Sequence, residues 1–128
     1  MVLQQQPQQQ SGGGPDEACP MDKEALGAAT WSLLHTLAAH YPAQPSAYDE
    51  VLVTQLLQGL AHFYPCAVCR PDFEAFVLTH PPNTSSREQL VLWVCELHND
   101  VNRKLGREEM ACDLAALDRR WLDNADCD

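Results

Sequence analysis

Several things are scarce in this 128-residue sequence, and each scarcity narrows what the chain can be. No apolar run approaches the length needed to span a bilayer. The start has no signal-peptide shape, and the glutamine-rich residues after Met1 carry no arginines of the kind that make an amphipathic presequence. This predicts that any targeting is non-classical, or that the sequence is a trimmed form. Positive charge is also sparse: 8 Lys and Arg stand against 18 Asp and Glu, for a formal net charge of -10 and a pI near 4.7. Nucleic acid and anionic membrane surfaces need clustered cations, so neither is expected as a partner. Solubility accounts for the acidity; an acidic face for a basic partner is the other explanation. Convincing strands are missing too, because the apolar periodicity is helical throughout.

Cysteine, by contrast, is abundant. Six cysteines in so short a chain suit complete pairing, and paired cysteines imply an oxidising compartment. Two of them, Cys66 and Cys69, lie three residues apart just after Pro65. At a helix start, the unpaired N–H groups and the positive dipole end favour a thiolate there. The fixed charge of Arg70 pushes the same way. Such a pair can exchange a disulfide with a substrate dithiol, and it then needs an electron acceptor.

Residues 1–17, rich in Gln and Gly, cannot bury enough apolar area to offset their ordering entropy and are expected to be a disordered tail. Residues 18–128 are expected to form one domain. A first helix is predicted from Asp22, its N-cap, to Tyr41, with Leu26, Thr30, Leu33, Leu37 and Tyr41 as its core stripe. Trp31 and His35 lie one turn apart on a neighbouring stripe. They can form a flat wall for a planar ligand, or simply pack. A second helix over 48–63 would bury Leu52, Leu56, Leu60 and Phe63. A third should turn Cys69, Phe73, Phe76 and Val77 inward and leave Cys66 nearer solvent, with Pro71 confined to its first turn. Ser85 with Glu88, or Ser86 with Gln89, signals the start of a fourth helix that carries Leu90, Val94, Leu97, Val101 and Leu105 and stops at Gly106. On its other side Cys95, His98, Asn99 and Asn102 form a polar but uncharged stripe that suits a bound polar cofactor. A short helix over 114–122 completes an all-α bundle.

Two other readings of the cysteines fit less well. A structural zinc site from Cys66, Cys69, Cys95 and Cys112 normally repeats a short C-x-x-C, whereas sixteen residues separate the second pair. A thioredoxin-like role needs the pair after a strand, and here it follows a helix. A redox pair plus structural disulfides fits best. Cys95 and Cys112 could clip the last helix to the bundle, while Cys19 and Cys127 could pair within a subunit or between two.

Three blocks carry a resemblance: Trp31 through His35 to Tyr41-Pro42, Tyr64-Pro65-Cys66-Ala67-Val68-Cys69, and Glu96 through His98-Asn99 and Asn102 to Lys104 and Gly106. In this order, with these cysteines, the chain from Cys19 to Trp121 resembles the Erv/ALR family of FAD-linked sulfhydryl oxidases. The resemblance implies a four-helix bundle with a short fifth helix, binding FAD non-covalently, as a homodimer. It implies that Cys66 exchanges with substrate, that Cys69 adjoins the isoalloxazine ring, that Cys95 and Cys112 form a structural disulfide, and that Cys19 and Cys127 cross between subunits. Around FAD it places Lys23, Leu26, Gly27, Thr30, Trp31, His35, Tyr41, Cys95, His98, Asn99, Val101, Asn102, Lys104, Arg120 and Trp121. No metal is implied. Electrons would pass from the pair to FAD and then to dioxygen or cytochrome c. The implied setting is the mitochondrial intermembrane space, with a C-x-x-C import oxidoreductase as substrate; the secretory pathway and the cytosol are the alternatives. A redox-idle binding or growth-factor-like module is the non-enzyme alternative. The chain departs from the family at Arg70-Pro71, where small or acidic residues are usual, and in having no extra shuttle cysteine pair in either terminal segment.

Overall fold

The computed structural model describes residues 19–123. The expectations for the 1–17 tail and for Cys127, and with it the Cys19–Cys127 pairing, therefore lie outside the described residues. Five helices follow one another: α1 Lys23–Ala39, α2 Ala47–Phe63, α3 Arg70–Thr79, α4 Arg87–Lys104 and α5 Leu114–Trp121. No strand occurs among the described residues, and no helix is long and apolar enough to cross a membrane. α1 packs along α4, α5 lies across both, and α2 packs on α3, which in turn meets α4. The result is the all-α bundle with a short fifth helix that the sequence predicts.

The helix ends follow local chemistry. Asp22 caps α1 by accepting the Ala25 N–H at 2.8 Å, and Ser86 caps α4 through the Gln89 N–H at 3.2 Å. α2 begins with a reciprocal capping box, in which the Asp49 N–H donates to Ser46 and the Ser46 N–H donates to the Asp49 carboxylate. The Ser46-x-x-Asp49 pattern that announces this box is legible in the sequence. Gly106, at φ 72°, ends α4. The Gly106 N–H reaches the Arg103 carbonyl and the Arg107 N–H the Asn102 carbonyl, which together make a Schellman motif.

Three expected faces are corrected. The stripe expected for the first helix meets the core at Leu26, Leu37 and Tyr41, but Leu33 is 61% exposed and the fully buried row of α1 is Leu34, His35, Ala38 and Ala39. In α2 the inward row is Val53, Leu57 and Ala61; Leu52 and Leu56 lie outside, and Phe63 is 77% exposed. Both helices carry two neighbouring apolar rows about 100° apart, and periodicity cannot say which one meets a neighbour. In the redox segment, Cys66 is 8% exposed and belongs to the core, whereas Cys69 is half-buried. The expectation of a solvent-facing Cys66 is therefore reversed in this disulfide-closed state. Phe73, Phe76 and Val77 are buried as expected, and Pro71 sits in the first turn of α3.

Candidate functional site

The redox pair sits in the turn between α2 and α3. Cys66 and Cys69 are joined as a disulfide, with their Cα atoms 5.2 Å apart. The Cys66 carbonyl accepts the N–H groups of both Cys69, at 3.1 Å, and Arg70, at 2.9 Å, so the pair is wound into the first turn of α3. The Cys69 N–H also lies 3.3 Å from Cys66 Sγ, a backbone donor already aimed at the sulfur that would carry charge after reduction. A second disulfide joins Cys95 to Cys112, with Cα atoms 5.8 Å apart. It fastens the segment before α5 to the middle of α4. The four cysteines that a zinc site would need are thus engaged in two disulfides.

Cys69 opens onto a cavity of about 500 Å³ between α1, α3, α4 and α5. Its wall contains Lys23, Gly27, Thr30, Trp31, His98, Val101, Lys104, Arg120 and Trp121 from the sequence expectations. Glu24, within the Lys23–Thr30 segment that the resemblance also assigns to the cofactor surface, lines it too, as do Leu34, Tyr64, Val68, Asp72, Phe73, Leu97, Leu105 and Arg107, which the sequence expectations leave out. Only Arg107 had a readable signal, as a cation directly after the glycine that ends α4. The others are apolar or acidic side chains whose facing is decided by packing.

Flat rings dominate one side. Trp31 stacks on His98, with centroids 3.9 Å apart and planes 8° apart. His35 stacks on Trp121 at 4.6 Å and 6°. The two histidines join the stacks through an Nε2···Nδ1 hydrogen bond of 2.8 Å, in which one neutral ring donates and the other accepts. Burial keeps both neutral. It lowers the pKa of His35 to about 3, helped by His98 and Arg120, and that of His98 to about 4, helped by Arg120 and Arg107. Three helices thereby contribute to one aromatic wall, and the Arg120 guanidinium lies 4.6 Å above the Trp121 ring.

Charge is distributed just as unevenly. Of the chain's eight Lys and Arg residues, Lys23, Lys104, Arg107 and Arg120 line this one cavity. Lys104 is already engaged, with Asp100 at 3.0 Å and Asp72 at 3.6 Å. Those carboxylates, Asp100 first, hold it protonated above its usual range. In a protein of net charge -10, a cluster of cations beside an aromatic wall fits a flat ring system with an anionic tail. The indole N–H of Trp121, buried and without a hydrogen-bond partner, is a further donor that a bound group could satisfy.

Six expected site residues do not line the cavity: Leu26, His35, Tyr41, Cys95, Asn99 and Asn102. His35 supports the wall from behind. Asn99 grips Met110 through two 2.8 Å bonds, donating to its carbonyl and accepting its N–H, and also receives a 3.3 Å bond from Asn102. The polar stripe of α4 therefore holds the α4–α5 loop, and with it Cys112. Tyr41 lies elsewhere, donating to the Thr84 carbonyl at 3.0 Å. One ion pair that the sequence did not announce anchors α5. Arg87 of α4 forms a bidentate pair with Asp118, both bonds 2.9 Å, and donates to the Ala39 carbonyl at the end of α1.

The Erv1 / Alr family profile matches residues 28–122, from within α1 to the end of α5. This chain belongs to the Erv1 / Alr family. It is 42% identical over 107 residues to the mitochondrial FAD-linked sulfhydryl oxidase ERV1 of Saccharomyces cerevisiae, covering 84% of this chain and 56% of that protein. The FAD-linked sulfhydryl oxidase ERV1 of Arabidopsis thaliana is 40% identical over 102 residues, covering 80% of this chain and 52% of its own length. The chain thus spans about half the length of the curated relatives it matches. Among solved structures, the yeast Erv1 core superposes with a TM-score of 0.81 at 39% identity, covering 90% of this chain and 96% of that one. The FAD binding domain of Erv1 from S. cerevisiae gives 0.78 at 42% identity, covering 84% of this chain and all of that one. The family of the three sequence blocks, and the fold they imply, are those the protein has.

Proposed function

We propose that this chain is an FAD-dependent thiol oxidase that generates disulfides in protein substrates. One observation carries this reading: Cys69, half of a closed Cys66–Cys69 disulfide, lines the same cavity as the Trp31–His98 stack, Trp121 and four cations. A disulfide that opens onto a ring-lined, cation-rimmed cavity has an electron donor side and a cofactor side. The names of the relatives, FAD-linked sulfhydryl oxidases, support the same assignment.

Trp31, His98 and Trp121 would hold the ring system of the cofactor, with Val101, Thr30 and Gly27 completing the wall. Lys23, Arg107 and Arg120 would meet its anionic part, while His35 backs the ring wall and Cys95, Asn99 and Asn102 hold the α4–α5 loop. A substrate thiolate attacks Cys66 Sγ, the Cys66–Cys69 bond breaks, and Cys69 leaves as a thiolate. The second substrate thiol then attacks the mixed disulfide, which releases oxidised substrate and leaves Cys66 and Cys69 reduced. The chemistry that FAD supplies when bound is acceptance of the two electrons from this pair, with dioxygen or cytochrome c as final acceptor. Burial of Cys66 means that substrate must displace part of the 63–68 turn to reach its sulfur. Exposure of Cys69 is exposure to the cavity, and a bound cofactor would cover it.

We place this activity in the mitochondrial intermembrane space, on a C-x-x-C import oxidoreductase, since oxidised cysteines need an oxidising compartment and relatives carry mitochondrial names. The oligomer we assign is a homodimer built on the outer row of α2, where Tyr48, Val51, Leu52, Leu56 and Phe63 are all exposed. An absorption spectrum tests the oxidase. A flavin spectrum should bleach on adding dithiothreitol under argon, return with air, and fail to bleach in Cys66→Ser. Protein that stays colourless after incubation with FAD would overturn the assignment.

A further inference from the structure

Arg70 plays no part in the reaction as described, yet it is bound to the redox loop twice. Its backbone N–H donates to the Cys66 carbonyl at 2.9 Å. Its guanidinium Nη1 reaches back to the Tyr64 carbonyl at 3.0 Å. Tyr64 itself is buried, with its ring edge-on to Phe73 at 5.7 Å and its hydroxyl 3.4 Å from Thr30, so the carbonyl that Arg70 holds belongs to a fixed residue. Arg70 is the first residue of α3, where that helix's dipole disfavours a cation and the preceding Cys69 supplies no side-chain cap. Its bond to Tyr64, the C-cap of α2, instead ties the start of α3 to the end of α2 across the redox turn.

We propose that Arg70 is the positioning residue of the redox pair: clamped on the Tyr64 carbonyl, it fixes the 64–70 turn and keeps a permanent positive charge beside it that favours Cys66 as a thiolate once the disulfide opens. The proposal rests on the thiol-oxidase reading of the pair. Opening the pair takes two electrons from a dithiol, whose own S–S bond forms. Of the two protons released, one stays on a cysteine sulfur and the other goes to solvent while Cys66 is a thiolate. The fixed Cys69 N–H is 3.3 Å from that sulfur, so holding the turn also holds this donor. Stabilising the reduced form makes the pair more oxidising, which suits a protein that must take electrons from substrates.

The test compares the purified full chain with Arg70→Met, which keeps the stem but loses charge and donors, and Arg70→Lys, which keeps the charge and one donor. Reduced protein is treated with iodoacetamide across a pH series under argon, and Cys66 labelling is read by peptide mass spectrometry. The same proteins are equilibrated in glutathione buffers to read the fraction of Cys66–Cys69 disulfide. Arg70→Met should move the labelling midpoint up by about one pH unit. It should also favour the disulfide about tenfold more, about 30 mV, with Arg70→Lys within about threefold of the unmodified protein. A melting temperature that falls in Arg70→Met while both profiles stay put would make Arg70 merely structural and overturn the proposal, leaving the oxidase reading intact. A pair that dithiothreitol cannot open in the unmodified protein would overturn both.

Discussion

Gly27 illustrates how a single residue can serve the site against the interest of its helix. It lies in the interior of α1, where glycine is about 1 kcal/mol less favourable than alanine, and a Cβ there would meet nothing within 4 Å. Because Gly27 lines the cavity, that open space is where a cofactor would approach. Gly27→Ala should therefore raise the stability of the cofactor-free protein by about 0.5–1 kcal/mol in urea denaturation and weaken flavin retention on a desalting column. The two histidines give a second expectation. Their folded pKa values of about 3 and about 4 lie below the ordinary 6.5, so in that window the unfolded chain binds protons that the folded one does not. Stability must then fall as pH drops from about 6.5 towards 4 and be fully restored above 6.5. Denaturation of the cofactor-free protein at pH 7.5, 6 and 5 measures this, and His35→Gln should flatten the dependence. The pair was legible as residues at helical spacing. Their shared hydrogen bond joins positions 63 apart in sequence and had no local trace.

α5 is the element with least sequence support and most dependence on tertiary fastenings. It has eight residues, too few to be helical alone, yet it brings Arg120 and Trp121 to the cavity. Two tethers hold it. The Cys95–Cys112 disulfide closes a seventeen-residue separation, and removing it by the double change Cys95→Ser, Cys112→Ser should cost about 3 kcal/mol in the chain-entropy account, read as a lower urea midpoint. The Arg87–Asp118 pair is the other, with side chains only 18% and 28% exposed. Arg87→Met should lower stability by about 1–3 kcal/mol and red-shift tryptophan fluorescence as Trp121 loosens. The first tether was open to the sequence as one possible pairing and implied by the family resemblance. The second was not, because an arginine in the first turn of α4 and an aspartate in α5 carry no mutual signal until the helices cross.

Among the described residues, the outer row of α2 exposes Tyr48, Val51, Leu52, Leu56 and Phe63, with Leu33 of α1 also exposed. If that row is the dimer face, Leu56→Glu together with Phe63→Glu should convert a dimer into a monomer in sedimentation velocity, with each monomer keeping its helical circular dichroism. The row was visible in the sequence as a core stripe, since apolar residues at helical spacing look alike whether they face a neighbouring helix or a second molecule.

Helical periodicity, caps and cysteine spacing made the all-α class and the C-x-x-C pair legible from local chemistry, and the family resemblance implied the Cys95–Cys112 disulfide. Which of two apolar rows turns inward, the burial of Cys66 next to a Cys69 that opens onto the cavity, and the gathering of half of the chain's few cations around that cavity emerge when the helices pack. The physical reason is the same in each case. Periodicity reports that a helix has an apolar face, whereas burial is a property of the pair of surfaces that meet, and those surfaces lie far apart along the chain.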